Sequence, residues 1–187
     1  MSVLSEVSIC NSALIKIGHE RINSLSEQTK AANLCAERYP FVRDEVLREH
    51  PWNFAIKRAE FAQLVSTPAF GYQYEYQIPS DCLRIWQPEE PEVVFSVEGG
   101  KVLTDEGSFK CRYIARVTNT ALFDRSFAEA LAFRLAADVG YSITQSTQLQ
   151  QAMLAMYEMK LKIARSMDAQ EGTPEDLIED NWIKRRF

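Results

Sequence analysis

The feature that most constrains the fold of this chain is a change of hydrophobic period at Pro51. Upstream, apolar residues recur at helical spacing along one face: Val7, Cys10, Leu14 and Ile17. Downstream, residues 72–78 alternate aromatic or apolar residues with polar ones, which is typical of a half-buried strand. Because Pro51 lacks an amide donor and restricts His50 to an extended conformation, we predict that a helix ends here.

Two helices are predicted before this point. The first covers residues 5–17, with Ser5 as its N-cap and Gly18 as its stop signal. The second begins near Ser26. Pro40 lies inside the second helix and predicts a kink or a break, because proline removes one helical hydrogen bond and clashes with the preceding turn.

Residues 52–117 carry strand signals. Short apolar, aromatic or β-branched segments alternate with turn residues: 54–59, 72–78, 83–86, 93–97, 102–104 and 109–117. Gly99-Gly100 between two of these segments predicts a tight hairpin, since glycine tolerates the positive φ that such turns require. We therefore predict a small antiparallel β unit.

Helical spacing returns near Asp124 or Ser126, is weakly broken at residues 140–146, and resumes in a last helix that continues to about Met167. The last helix carries two apolar stripes, one of which is Leu154, Tyr157, Leu161 and Ala164, and the other Leu149, Ala152, Met153, Met156, Met159, Ile163 and Met167. A helix that is apolar on two faces is buried on two faces. Either a subunit interface or a central place in a helical bundle satisfies this pattern, and the sequence favours neither.

The predicted fold class is α+β. A helical bundle is expected from residues 1–51 and 118–172, with the β unit of residues 52–117 inserted and an extended C-terminal docking tail at residues 173–187. A hydrophobic content of 46% is sufficient for a core. The formal net charge of −5 argues against a protein that wraps nucleic acid tightly, which requires a clustered positive surface.

The sequence gives little support for a metal or cofactor site, and none is predicted. The cysteines are far apart and are expected to be reduced thiols: Cys10, Cys35, Cys82 and Cys111. His19 and His50 each follow a predicted helix and are best explained as helix-end residues. No signal peptide or membrane span is predicted, so synthesis in the cytoplasm and no membrane partner are expected.

No catalytic residues are predicted, and the chain is not expected to be an enzyme. It has no P-loop, no dinucleotide-binding glycine pattern and no nucleophile elbow. The acidic pairs Glu89-Glu90 and Asp105-Glu106 lie in predicted turns, where carboxylates are usually solvated. Asp81 is predicted to form a turn by capping its own backbone.

Two groups of aromatic residues favour contact rather than catalysis. Tyr72, Tyr74 and Tyr76 are expected on one strand face, as a core face with hydroxyls at its rim more than as a platform for stacking bases. The tail is acidic at residues 175–180 and then becomes basic and aromatic, at Trp182, Ile183, Lys184, Arg185, Arg186 and Phe187. These last residues are either a disordered terminus or a docking segment, since free apolar side chains are costly to expose.

Several blocks of the sequence follow one another in an order found in one protein family. They are residues 13–18, 22–25, Tyr39, residues 43–44 and 46–48, Pro51-Trp52-Asn53-Phe54-Ala55, and Tyr76-Gln77-Ile78-Pro79-Ser80-Asp81-Cys82-Leu83-Arg84. The last two blocks are the most specific. Over nearly its whole length the chain resembles the tail tubular protein A family of short-tailed bacteriophages.

The resemblance implies a structural head-to-tail adaptor in the virion, assembled in the host cytoplasm. It implies a homo-oligomeric ring of about twelve copies below the portal protein, closed by head-to-tail contacts. Such a ring receives the tail nozzle protein and passes double-stranded DNA through its lumen without specific binding. The basic and aromatic end, Trp182 to Phe187, is then expected to reach the portal. A tail-associated glycan hydrolase and a DNA-binding module are the alternative functions.

Overall fold

The computed structural model describes residues 4–171, and within this range the fold is α+β. The helices are α1 (Glu6–Lys16), α2 (Lys30–Glu49), α3 (Arg125–Thr144) and α4 (Thr147–Gln170). The strands are β1 (Ile56–Glu60), β2 (Ala62–Gln63), β3 (Tyr74–Gln77), β4 (Cys82–Pro88), β5 (Phe95–Glu98), β6 (Lys101–Thr104) and β7 (Lys110–Ala115). The strands lie between α2 and α3 in the chain, as predicted. The predicted C-terminal tail lies outside the described residues.

The first helix begins and ends where the sequence predicts. The Ser5 and Ser8 side chains exchange hydrogen bonds with each other's backbone amides in a capping box. Gly18 follows the helix at a φ of 74°, in the left-handed region that glycine adopts without steric cost.

The second helix differs from its prediction at two points. It begins at Lys30 with Thr29 as its N-cap, later than Ser26, because Glu27 instead accepts hydrogen bonds from the amides of residues 23 and 24. It also runs unbroken through Pro40, so the expected break is wrong. Pro40 and Ala36, whose carbonyl lacks its helical donor, are both exposed residues, so the missing hydrogen bond lies on the solvent side of the helix.

The β unit consists of two antiparallel sheets. The three-stranded sheet has the order β1-β7-β4, and the four-stranded sheet has the order β2-β3-β6-β5. The hairpin of β5 and β6 turns at Gly99 and Gly100, which both have positive φ, as predicted. The first strand begins two residues later than predicted, since Asn53–Ala55 forms a 3-10 turn after Trp52.

Two clusters of buried side chains form the interior. The larger one lies among the helices around Trp52, whose indole nitrogen donates to the Val46 carbonyl at 3.0 Å. The smaller one joins the two sheets and is mainly aromatic: Phe61, Tyr76, Val102, Phe109, Cys111, Tyr113 and Ala115. In β7 the side chain of Ile114 joins the helical cluster, whereas its neighbours Tyr113 and Ala115 join the other. The three-stranded sheet therefore connects the helices to the rest of the β unit.

The late helices follow their predicted positions closely. Asp124 caps α3 by accepting hydrogen bonds from the amides of Ser126 and Phe127, and Ser146 caps α4. α3 packs against α1, α2 and α4, and is the central helix. Among the described residues, no helix is long and apolar enough to cross a membrane.

Candidate interaction surface

The C-terminal end of α4 is fixed to the turn that follows α2. The side-chain carboxylate of Asp168 accepts a hydrogen bond from the Asn53 backbone amide at 3.0 Å. The backbone carbonyl of Asp168 accepts a second one from Asn53 Nδ2 at 2.7 Å. The same carboxylate lies 3.1 Å from His50 Nε2. We refer to His50, Asn53 and Asp168 as the Asp168 cluster. It connects the last turn of α4 to the turn that follows α2.

The histidine of this cluster has a lowered pKa. Burial disfavours its charged form and is the largest cause, and the positive charges of Arg165 and Arg84 act in the same direction. The contact with Asp168 opposes these effects without overcoming them. His50 is therefore neutral near pH 7, and its role in the described fold is structural.

One face of α4 is apolar and exposed. Met159, Ile163 and Met167 are four residues apart and are about half exposed, at 46%, 46% and 52%. We call them the outer face of α4. The opposite stripe, which includes Tyr157, Leu161 and Ala164, is buried against the helical layer. Leu149, Met153 and Met156 of the first predicted stripe pack partly against the helical core, whereas Leu154 of the second is 44% exposed. Within the described residues, the central helix is α3, and α4 keeps apolar residues exposed towards its C-terminal end.

Beside α4, a groove of about 620 Å³ lies between α2, α3 and α4. Its charged residues are paired with one another or with neighbouring arginines: Arg134 with Glu45 at 2.9 Å, and Arg165 with Glu49 at 3.2 Å. Arg38 binds Asp138 at 2.6 Å on its rim. Because these groups form ion pairs with one another, they are better explained as connections between the helices than as a ligand site.

Arginine side chains extend along the three-stranded sheet away from the Asp168 cluster. Arg84 on β4 contributes in a minor way to the lowered pKa of His50, and it is paired in register with Ile114 of β7. Two residues further along β7, Arg112 lies directly opposite Arg58 of β1. Arg84, Arg112 and Arg58 are called the arginine strip. Like charges placed opposite each other on paired strands repel, so Arg58 and Arg112 disfavour each other in this register.

The arginine strip borders a shallow groove of about 330 Å³. Arg112 packs over the Trp86 ring, with its guanidinium carbon 5.7 Å from the ring centroid. At the far end of the groove, Lys110 lies 3.4 Å from Glu89, and both side chains are largely exposed. The groove is therefore lined by both cations and carboxylates, and Trp86 packs against one of its arginines.

Asp81 has a larger role than its predicted turn. Its carboxylate binds Lys57 Nζ of β1 at 2.6 Å and accepts a hydrogen bond from the Tyr113 hydroxyl of β7 at 3.2 Å. These contacts, with Lys57 the largest, lower the pKa of Asp81. The residue before β4 thus joins three strands, a set of long-range contacts that no local motif indicates.

The β unit also has exposed apolar residues, in the loop between β2 and β3 and near the edge strand β5. Val65 is fully exposed and Phe70 is 89% exposed, and both belong to the loop between β2 and β3. Val94 and Val97 are exposed near the edge strand β5. Of the three tyrosines, Tyr76 is buried and Tyr74 is half-buried in β3, whereas Tyr72 lies before the strand.

The other residues considered from the sequence as catalytic, metal-binding or partner-binding candidates do not form a common site among the described residues. The acidic pairs of residues 89–90 and 105–106 are exposed, and His19 is exposed beside the Glu20 carbonyl. All four cysteines are free, and residues 4–171 contain no group of ligands that would hold a metal ion. The predicted portal-binding residues lie outside the described part of the chain: Trp182, Ile183, Lys184, Arg185, Arg186 and Phe187.

Comparison of the chain with known proteins finds no matching family model and no matching curated protein. A functional proposal therefore rests on the residues, their geometry and the resemblance described above.

Proposed function

We propose that this protein is a structural adaptor that joins the head and the tail of a bacteriophage. The observation that carries this proposal is the outer face of α4, where Met159, Ile163 and Met167 present a continuous apolar stripe to solvent. Single exposed apolar residues are ordinary on a protein surface, whereas a contiguous stripe on one long helix is typical of an interface.

The proposed contact is between copies of this chain in a ring of about twelve, as in the family that the sequence resembles. A ring needs two different patches on each copy, one for each neighbour. The outer face of α4 supplies the first patch. Exposed apolar residues on the other helices, Ile15 of α1 and Phe41 of α2, are candidates for the second.

The other partners follow from the same proposal. The ring lies below the portal protein, receives the tail nozzle protein and passes double-stranded DNA through its lumen. The net charge of −5 supports passage without specific binding, since an acidic wall repels the phosphate backbone. Residues 182–187 bind the portal, and the mature location is the virion.

Substitution of Ile163 by Glu tests the interface. The charged side chain places an unpaired carboxylate at the centre of the apolar stripe, so self-association of the purified protein weakens by at least tenfold. Lys162→Gln is the matched control, because it also changes the charge by one negative unit at an exposed neighbouring position. Mass photometry and sedimentation velocity measure the change. Equal self-association of Ile163→Glu and wild type contradicts the proposed interface.

A further inference from the structure

Phe41 of α2 is the most exposed large apolar side chain on the four helices, at 65%. Arg38 lies one turn before it, and its guanidinium carbon is 5.7 Å from the centroid of the Phe41 ring. Asp138 holds this arginine by accepting hydrogen bonds from Nε at 2.6 Å and from Nη2 at 3.2 Å. The arginine restrains the ring without covering it, which lowers the entropic cost of burying the ring against a partner.

The outer face of α4 has a chemistry that suits an aromatic ring. Met159, Ile163 and Met167 follow one another at four-residue spacing, about 6 Å apart along the helix axis. Methionine side chains are flexible and polarizable, and their sulfur atoms make favourable contacts with aromatic rings. Phe41 and this face are both exposed in the same copy, so they do not cover each other. A contact between them has to join two copies.

The charges beside the two surfaces are opposite. Glu37 lies one turn before Phe41 and is exposed, and Lys160 lies at one edge of the outer face of α4. Within residues 4–171, neither Glu37 nor Lys160 forms an ion pair. At the other edge of the face, Glu158 and Lys162 are four residues apart, so their charges offset each other. Lys160 therefore remains as the cation that can pair with Glu37 of another copy.

The surface around Ile15 of α1 lacks this complementarity. Ile15 is 48% exposed, but the residues one turn before and after it carry no carboxylate: Asn11, Ser12, Gly18 and His19. Its neighbour Lys16 is already paired with Glu129 at 3.0 Å. Of the two exposed apolar surfaces on α1 and α2, the one around Phe41 is thus the better match for the outer face of α4.

We infer that Phe41 of one copy packs on the outer face of α4 of the next copy, and that Glu37 pairs with Lys160 across this contact. Because the two surfaces are different, the contact is heterologous, and each pair of copies keeps one free surface of each kind for further copies. The inference rests on the proposed ring and identifies the second patch that the ring needs.

Two variants of the full chain, each of which disables one surface, test this inference. Phe41→Asp keeps the outer face of α4, and Ile163→Glu keeps the surface around Phe41. We expect each variant alone to lose self-association by about tenfold. An equimolar mixture should form one-to-one pairs and no larger species, because only one combination of intact surfaces remains. Native mass spectrometry with one variant isotopically labelled counts the copies, and circular dichroism checks that both variants are folded.

The matched control is Ile15→Asp, which places the same charge on the other exposed apolar residue and should self-associate like the wild type. A mixture of folded variants without pairs contradicts the inference, as does a loss of self-association in Ile15→Asp instead of Phe41→Asp. If only Ile163→Glu loses self-association, the α4 interface of the proposed function stands and the surface assigned to its partner is wrong. If neither variant loses it, the proposed interface fails as well.

Charge reversal tests the ion pair of this contact. Glu37→Lys places two cations against each other and should weaken self-association about threefold. The double variant Glu37→Lys/Lys160→Glu reverses the pair and should restore the self-association of the wild type. A double variant that associates no more strongly than Glu37→Lys contradicts the pairing.

Discussion

His50 and Asp168 form a contact between the end of α2 and the end of α4, with Nε2 of the histidine 3.1 Å from Oδ2 of the aspartate. The two residues are far apart in sequence, and both are mostly buried. Through this contact, the segment before Pro51 and Trp52 sets the position of the last helix.

The first prediction concerns the pH dependence of stability. Because burial lowers the pKa of His50, the unfolded chain binds this proton more tightly than the folded chain does. The contribution of His50 is therefore fully present above the ordinary histidine pKa near 6.5 and is lost as the pH falls from there through the folded value. Urea unfolding between pH 7.5 and pH 5 should show a decreasing free energy of unfolding.

The variant His50→Gln is the control for this effect. It cannot titrate in the same range, so its free energy of unfolding should depend less on pH than that of the wild type. If the free energy of unfolding changes equally with pH in both proteins, the pH dependence belongs to groups other than His50.

The second prediction concerns Asp168. Substitution by Ala removes a buried carboxylate that accepts a hydrogen bond from the Asn53 amide and contacts His50, which should cost about 1 to 3 kcal/mol of unfolding free energy. Glu158→Ala, at an exposed position of the same helix, should change it by less than about 0.5 kcal/mol. Chemical denaturation measures both variants. Hydrogen exchange should also accelerate at the end of α4 in Asp168→Ala, and an unchanged rate there would contradict the role of the cluster.

The elements that sequence alone predicted are those with local signals. The Ser5 cap, the Gly99-Gly100 hairpin and the end of α2 before Pro51 each depend on neighbouring residues, and each was predicted correctly. Contacts between distant residues have no such signal. Asp168 looks like one more charged residue of a helix, and its burial follows only from the packing of α4 beside Asn53.

Two errors have a similar origin. The break expected at Pro40 does not occur, because packing of α2 along its buried face outweighs the loss of one hydrogen bond on its exposed side. The division of the strands into two sheets depends on which strands pair, and hydrophobic alternation does not determine pairing.

The third prediction follows from the proline in α2. Pro40 is exposed inside a continuous helix, where proline is much less favourable than alanine. Pro40→Ala should therefore raise the free energy of unfolding by about 1 to 3 kcal/mol and raise the Tm in calorimetry. Arg38→Ala at a nearby position of the same helix should lower it, because Arg38 binds Asp138. A destabilised Pro40→Ala variant would show that α2 is adapted to the proline.

The fourth prediction concerns the contacts of Asp81. Removal of its carboxylate in Asp81→Ala eliminates the Lys57 ion pair and the Tyr113 hydrogen bond, with an expected cost of about 1 kcal/mol because the site is partly exposed. A double-mutant cycle with Lys57→Ala isolates the ion pair by denaturant unfolding. If the effects of the two substitutions are additive, Lys57 and Asp81 are not coupled in solution.

The central claim is that copies of this chain assemble into a ring on a portal protein. Electron microscopy of the purified protein mixed with its cognate portal tests it most directly, with mass photometry to count the copies. The account predicts a ring of about twelve copies attached coaxially to one end of the portal. A protein that remains strictly monomeric in the presence of its portal would contradict the account.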